Sequence, residues 1–164
     1  MLDPAELTGW FEAHAAPLVF YARQWLDRGA AEDVVQEAFV RLMLQTRPPG
    51  SVKAWLYRTV RNEAISLWRS TRRRHDRERE RAVPEIFFEP HHGDPIDAEA
   101  AAAALRQLPE SQREVMVLRI WGAMTLKEIS LLIGSPLSTV FHHYQEGLRV
   151  LREKMGVSCQ TNHD

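Results

Sequence analysis

Apolar residues in the first half of the chain recur at the three- and four-residue spacing of amphipathic helices. The second helix of this half is expected over residues 31–45. Asp3 followed by Pro4 is typical of a helix start, whereas Pro17 is expected to kink or divide the first helix. Three buried stripes are predicted: Leu18, Tyr21, Ala22, Trp25 and Leu26; Val34, Val35, Ala38, Phe39 and Leu42; and Leu56, Val60, Ala64 and Leu67.

The second half has the helix start and stop signals of a helix-turn-helix. A helix is predicted over residues 110–121, and Thr125 with Glu128 has the spacing of a capping box that opens a short helix. Gly134 supplies a left-handed stop, and Pro136 is expected at the first position of the last helix. Such geometry reads DNA in many proteins, but it also serves merely to pack three helices. The buried stripe of the last helix, which is expected to run to about Lys154, is predicted to be Leu137, Val140 or Phe141, Tyr144, Leu148 and Leu151.

The composition is that of a globular protein with one ordinary domain or two small ones. The chain has 164 residues, of which 45% are apolar and 26% charged, so global disorder is excluded. Its apolar runs are far shorter than the roughly 18 residues of a membrane span, and its start lacks the basic region of a signal peptide. We therefore expect a cytoplasmic protein without membrane insertion. Cys159 is the single cysteine, which excludes an internal disulfide.

Charge is segregated along the chain although the net charge is only -1. Residues 69–81 contain seven arginines and three acids, a local excess of 7 - 3 = +4. Residues 82–104 contain five acids and no Lys or Arg, with prolines and a glycine that break regular structure. The prediction is an all-α protein of two small helical domains, a helical bundle at 1–81 and a helix-turn-helix at 105–155. An acidic, flexible linker joins them, and residues 156–164 form a polar tail that is expected to be disordered.

The third helix combines a basic face with aromatic residues. At about 100° per residue its arginines share an arc of about 80°, opposite the apolar stripe. A cationic stripe suits a phosphate backbone, and aromatic rings beside arginines stack unpaired bases, so single-stranded or opened DNA is a predicted ligand. The alternative is a solvated charged face above an aromatic core. The residues concerned are Arg58, Arg61, Arg69 and Arg72, with Trp55, Tyr57 and Trp68.

Acidic and amide side chains surround the first turns of the second helix, at Glu32, Asp33, Gln36 and Glu37. Acids near a helix N-terminus are stabilised by the helix dipole, and Glu37 has the spacing to pair with Arg41. A structural explanation is therefore sufficient for these residues, and composition alone does not assign them a partner.

The sequence offers little for metal or enzymatic chemistry. Adjacent histidines on a helix diverge by about 100°, and no Cys-x-x-Cys or His-x-x-x-His spacing occurs. No nucleophile elbow or phosphate-binding loop occurs either. We therefore expect no metal, no cofactor and no enzymatic activity. The residues that invite a metal hypothesis are His91, His92, His142, His143, Cys159 and His163.

Three segments resemble one protein family. Residues 31–42, AEDVVQEAFVRL, and 54–62, AWLYRTVRN, resemble the core-binding and -10 region of bacterial sigma-70 factors, in the small extracytoplasmic-function (ECF) group. Residues 108–115, LPESQREV, and the helix-turn-helix after them resemble the -35-binding region. The resemblance implies a promoter-specificity subunit that binds the β′ clamp and β flap of core RNA polymerase and promoter DNA, both duplex and opened. It also implies an anti-sigma protein as a further partner.

The family pattern assigns roles to positions of this chain. It implies that the clamp helices of β′ bind Asp33, Gln36, Glu37 and Phe39. Residues 46–51 lie where the family has a loop that captures a flipped -10 base. The DNA-binding residues of the -10 region would be Trp55, Tyr57, Arg58, Arg61, Asn62, Arg69 and Arg72. Those of the -35 region would be Arg113, Thr125, Ser138, Thr139, His142, His143, Gln145 and Arg149.

The predicted recognition helix departs from the family at its basic positions. Phe141, His142 and His143 stand where many relatives carry Lys and Arg, so weaker or differently specified -35 contact is expected. Gln145 is a candidate adenine reader, and Glu146 is a candidate acceptor from cytosine. The main alternative to a sigma factor is a helix-turn-helix regulator that binds duplex operators without polymerase. Such a regulator would not need the acidic and arginine-rich helices of the first half.

Overall fold

The computed structural model describes residues 3–75 and 103–154, and every regular element in these two segments is a helix. The chain forms two compact units, Met1–Phe87 and Phe88–Asp164. The described helices agree with the expected all-α class. Residues 82–102 of the acidic linker with its histidines, the basic residues after His75, and the tail with Cys159 and His163 lie outside the described residues. Residues 103 and 104, predicted to belong to the linker, are helical. None of the described helices is both long enough and apolar enough to cross a membrane.

The first unit contains α1 (Pro4–Ala22), α2 (Arg28–Met43) and α3 (Val52–His75). Asp3 caps α1 by accepting a 3.0 Å hydrogen bond from the Ala5 N–H, and α1 continues through Pro17 as one helix, so the predicted division is wrong. Asp27 caps α2 by accepting a 2.9 Å hydrogen bond from the Ala30 N–H. This cap makes α2 begin about one turn earlier than the sequence pattern predicted.

The core of the first unit is formed by the three predicted stripes. Their side chains are all at most 7% exposed except Leu67, which is 39% exposed near the far end of α3. Tyr21 lies at the centre, where its ring centroid is 5.3 Å from that of Trp25 and 5.4 Å from that of Tyr57. Because all three helices contribute to this core, the outer faces of α2 and α3 are held by one packed unit.

The second unit contains helical residues 103–107, α4 (Glu110–Ile120), α5 (Leu126–Ile133) and α6 (Leu137–Lys154). The capping box is confirmed: the Thr125 hydroxyl accepts from the Glu128 N–H at 3.2 Å, and Glu128 accepts from the Thr125 N–H at 2.7 Å. Gly134 has φ of +69°, the left-handed stop that the tight turn requires. Pro136 stands just before α6, and its carbonyl accepts from Val140 N–H at 3.1 Å. The helix-turn-helix is therefore present.

The packing of α6 decides which apolar residues are buried. Val140 is fully buried, whereas Phe141 is 49% exposed, so Val140 occupies the stripe position that the sequence left open. Leu137 is 50% exposed, and its predicted burial is wrong. Gly147 is buried against Met116 of α4, and a Cβ there would lie 2.6 Å from the Met116 Cγ. The lack of a side chain at residue 147 allows α6 to approach α4 closely.

Replacement of Gly122 by Ala is expected to destabilise the second unit by about 2 kcal/mol, within the range for overpacking. The new Cβ would lie 2.6 Å from the Leu118 carbonyl oxygen, and backbone atoms cannot move aside as a side chain does. Chemical denaturation of the full chain measures the change. Gly9→Ala is the matched control, since a Cβ there meets no atom within 4 Å and Ala favours a helix. Equal effects of both substitutions would contradict this account of the turn.

Candidate DNA-binding and partner-binding surfaces

The outer side of α2 carries an acidic and amide cluster, formed by Asp33, Gln36 and Glu37, and all three residues are exposed. Glu37 accepts a 2.9 Å hydrogen bond from the Arg41 Nε, so the predicted pair is confirmed. Phe39 was assigned to the same surface but is only 5% exposed, with its ring 5.0 Å from that of Phe11. Its side chain points about 120° away from that of Asp33 around the helix axis, and it therefore belongs to the core.

An apolar continuation of this cluster was not predicted from the sequence. Val40 is 46% exposed and Leu44 is 76% exposed. They follow Gln36 and Glu37 at the spacing that keeps residues on one helix face. The sequence could have indicated their exposure, because Val40 and Leu44 both fall outside the buried stripe of α2. We call the exposed set Asp33, Gln36, Glu37, Val40 and Leu44 the α2 face.

The segment at residues 46–51 leads directly into α3. Ser51 caps the helix: its hydroxyl accepts from the Ala54 N–H at 3.2 Å, and its carbonyl accepts from the Trp55 N–H at 3.0 Å. Trp55 is therefore held in the first turn of α3, directly after the loop, and it is partly exposed. This arrangement puts an aromatic side chain beside residues 46–51.

The basic side of α3 is open to solvent along its length. Arg58, Arg69 and Arg72 are exposed, and Arg61 is partly exposed. The Arg72 guanidinium lies 5.2 Å from the centre of the Trp68 ring, within the range of a cation–π contact. Asn62 is also exposed. The structure therefore brings most of the predicted -10 residues onto the surface of one helix.

Tyr57 is the exception, because the structure places its side chain in the core and not at this surface. The side chain is 1% exposed, and its ring packs against Tyr21 in the core. Burial raises the pKa of its hydroxyl well above the ordinary value. Tyr57 is next to Arg58 in sequence but turns about 100° away from it along the helix, towards the buried stripe. A base cannot stack on this ring while the core is intact.

The predicted -35 residues of α6 are largely at the surface. Ser138, Thr139, His142 and Gln145 are exposed, and His143 is half-buried. They occupy the first two to three turns of the second helix of the helix-turn-helix, which is the part that enters the major groove in this motif. These turns are therefore the candidate base-reading surface of the second unit.

Two predicted contacts from outside α6 are constrained by their surroundings. The Thr125 hydroxyl donates a 2.9 Å hydrogen bond to the Glu128 Oε2 while it accepts from the Glu128 N–H, so its hydrogen is committed to the cap. Arg113 is partly exposed, and burial lowers the pKa of its guanidinium, with Glu110 acting in the opposite direction. Thr125 and Arg113 are therefore less available to DNA than the residues of α6.

Arg149, the predicted basic contact further along α6, is bound by two acids of its own helix. Its Nη2 lies 3.1 Å from Glu146 Oε2 and its Nη1 lies 2.7 Å from Glu153 Oε1. These pairs raise the pKa of Arg149, chiefly through the hydrogen bond to Glu146. Glu146, the candidate acceptor from cytosine, would have to leave its pair with Arg149 in order to bind a base. The attraction of Arg149 for phosphate is reduced because two negative charges surround its one positive charge.

Both units match known protein families. Residues 10–74 match Sigma-70 region 2, and residues 98–151 match Sigma-70, region 4. The two matches occur in the order predicted from the sequence and together cover most of the chain. The chain belongs to the sigma-70 family. The first match spans α2 and most of α3, and the second spans α4 to α6.

Curated relatives place this sigma factor in the ECF group. It is 30% identical over 117 residues to the ECF RNA polymerase sigma factor EcfG of Rhodopseudomonas palustris, with 67% of this chain and 62% of the relative covered. It is 28% identical to the ECF RNA polymerase sigma factor RpoE of Cereibacter sphaeroides, over 76% of this chain and 70% of the relative. It is 21% identical to the sigma factor SigZ of Bacillus subtilis, over 94% and 89%.

Two solved structures share the fold. The sigma factor RpoE of Bartonella quintana, solved with the anti-sigma factor NepR, matches with a TM-score of 0.80 at 21% identity over 95% of this chain and 99% of that chain. CnrH, solved with the cytosolic domain of CnrY, matches with a TM-score of 0.60 at 21% identity, over 95% and 91%. The predicted all-α sigma fold is confirmed.

As an RNA polymerase sigma factor, the protein acts in transcription initiation. Members of this family bind core RNA polymerase and promoter DNA, and they are initiation factors rather than enzymes. The helix-turn-helix regulator without polymerase is not favoured, since a region 2 match accompanies the region 4 match.

Removal of both acids around Arg149 is expected to tighten promoter binding. The double variant Glu146→Gln and Glu153→Gln should bind duplex promoter DNA about 3- to 10-fold more tightly as holoenzyme, with a steeper salt dependence, because Arg149 becomes free to neutralise a phosphate. Titration at several salt concentrations measures both effects. Glu6→Gln with Glu12→Gln on α1 is a matched control that changes the net charge equally. An equal gain in both double variants would show that only net charge matters.

Proposed function

We propose that the α2 face binds the clamp helices of β′ in core RNA polymerase. Support comes from its composition, since exposed acids at Asp33 and Glu37 suit a basic partner, while Val40 and Leu44 supply apolar area that is otherwise left in water. An interface with an apolar centre and charged groups beside it is stable and still specific. The α2 face is the observation that most favours a polymerase subunit over a stand-alone DNA-binding protein.

Opened -10 DNA is assigned to residues 46–51 and the basic side of α3. Trp55 follows the loop within one helical turn, and exposed Arg58, Asn62 and Arg69 continue along the helix. A flipped base costs a few kcal/mol of lost stacking, which aromatic stacking and phosphate contacts offset. Strand opening by this surface therefore requires no hydrolysis, which is consistent with a protein that is not an enzyme and uses no cofactor.

The second unit is proposed to bind the -35 element with the first half of α6, and the flap of β with its remaining surface. Ser138, His142 and Gln145 are exposed on the turns that enter the groove in this motif. The acidic linker at residues 82–104 is proposed to pass through polymerase channels that otherwise hold nucleic acid. We further propose that the protein works in the cytoplasm, where its polymerase and promoters are.

An anti-sigma protein is proposed as the partner of the idle state. Both structural relatives were solved with a partner protein, the anti-sigma factor NepR in one complex and the cytosolic domain of CnrY in the other. Exposed apolar side chains occur in both units of this chain, among them Leu44 at 76% and Leu131 at 68% exposure. A partner that covers them would keep the protein soluble and away from polymerase.

Reconstituted transcription tests the proposal as a whole. Core RNA polymerase is assayed with and without this protein on a library of promoter fragments. Initiation that depends on the added protein and shares a -35 and -10 motif supports the proposed function. Binding to duplex fragments without association with core polymerase would contradict it.

A further inference from the structure

An apolar cleft lies at the N-terminal ends of α5 and α6. It is lined by Leu126 and Lys127 of α5 and by Leu137, Ser138 and Phe141 of α6. Leu137 is 50% exposed and Phe141 is 49% exposed. The side of α6 that faces the core is already packed, so Leu137 and Phe141 present their apolar surface to solvent. They do so on the half of α6 that carries the candidate base readers.

Phe141 lies in one row with two of those candidates. At about 100° and 1.5 Å per residue, Ser138, Phe141 and Gln145 fall within an arc of about 60° and span about 10 Å along α6. This length corresponds to about three base-pair steps of 3.4 Å. Phe141 therefore stands between two polar residues that face the same short stretch of duplex.

The charges around the cleft favour DNA as its occupant. The first turn of α6 carries no acidic residue, so the positive end of its helix dipole is not compensated from within the helix. Lys127 is exposed at the cleft. The acids of α6 that the structure pairs, Glu146 and Glu153, lie further along the helix and are bound to Arg149. A polyanion is therefore attracted to the end of α6 where the apolar side chains are exposed.

We propose that Phe141, supported by Leu137, reads thymine in the -35 duplex through contact with its 5-methyl group. The methyl of thymine is the apolar feature that distinguishes one base edge from the others in the major groove. The exposed ring of Phe141 would contact the thymine, and Ser138 or Gln145 would hydrogen-bond to another base. The expected -35 DNA sequence therefore has these two bases within about three base pairs of each other. This inference rests on the proposed role of α6 in -35 binding.

Deoxyuridine substitution isolates the contact, because it removes only the methyl group. The holoenzyme selects a -35 duplex from a pool with a randomised -35 segment, and each thymine of the selected duplex is then replaced in turn. Wild-type protein should bind about fourfold more weakly at one or two positions, the factor that corresponds to burial of one methyl group. Phe141→Ala should bind the thymine and deoxyuridine duplexes equally, whereas Phe141→Leu should keep the sensitivity.

Leu131→Ala is the matched control, since Leu131 is an exposed leucine of α5 that does not line the cleft. It should retain the full response to deoxyuridine. If wild-type protein is insensitive at every thymine, or if Phe141→Ala keeps the wild-type response, the inference is overturned while -35 binding stands. If no duplex is selected at all, both the proposed role of α6 and the inference built on it are overturned.

Discussion

Asp33→Arg is expected to abolish transcription that depends on this sigma factor. The substitution places a positive charge on the α2 face, opposite the basic surface proposed for its partner, and repulsion of this kind is expected to lower affinity for core polymerase about a hundredfold. Asp33 is exposed, so the free energy of unfolding should change by less than about 0.5 kcal/mol. Run-off transcription and a direct binding titration with core polymerase measure the loss, and thermal unfolding shows that the fold is intact.

Glu12→Arg is the matched control for this result. It makes the same charge reversal at an exposed acid of α1, outside the α2 face. Transcription should be retained, and Asp33→Asn should lie between the wild type and Asp33→Arg because it removes attraction without adding repulsion. If Asp33→Arg transcribes like Glu12→Arg, the α2 face is not the polymerase-binding surface.

Tyr57→Ala is expected to destabilise the first unit by about 3 to 5 kcal/mol, the usual range for removal of a buried aromatic side chain. The ring is 1% exposed and lies 5.4 Å from the Tyr21 ring, so its loss leaves a cavity between α1 and α3. Chemical denaturation of the full chain should show an earlier first transition. Tyr57→Phe keeps the ring and should change stability by no more than about 1.5 kcal/mol.

Trp55→Ala separates stability from DNA binding in the same turn of α3. Trp55 is partly exposed, so its loss should weaken binding of opened -10 DNA with a much smaller effect on unfolding than Tyr57→Ala has. Fluorescence titration of the holoenzyme with single-stranded -10 oligonucleotides measures the binding. A stable Tyr57→Ala protein with a specific loss of DNA binding would restore Tyr57 to the DNA-binding set.

The helices were predictable because their signals are local. Buried stripes follow from the helical period, and the cap at Thr125 and the stop at Gly134 follow from residues a few positions apart. The errors concern packing between helices. Phe39 and Tyr57 stand next to exposed residues in motifs of the family, and both are buried. The helical period had already predicted the burial of Phe39, whereas Tyr57 lay outside the predicted stripes.

The candidate site residues were predicted less completely than the helices. The family pattern indicated α2, α3 and α6, and most of the polar residues that it named there are exposed. The pairing of Arg149 with Glu146 and Glu153 was visible as three- and four-residue spacing, yet its effect on DNA binding depends on geometry. The exposure of Leu137 and Phe141 could not be predicted, because the choice between Val140 and Phe141 for the core is made by packing against the rest of the second unit.

Arg41 forms ion pairs with one acid on α2 and one acid on α3. It lies 2.9 Å from Glu37 on α2 and 3.4 Å from Glu63 on α3. If a partner on α2 binds Glu37 in place of Arg41, the pairing of Arg41 with Glu63 on α3 changes, and so does the affinity of α3 for the DNA proposed to bind there. By thermodynamic reciprocity, DNA on α3 then changes the affinity for the partner to the same extent. Exposed ion pairs contribute at most about 1 kcal/mol, which limits cooperativity by this route to about fivefold. Any larger dependence of strand opening on polymerase must therefore come from contacts other than this ion-pair route.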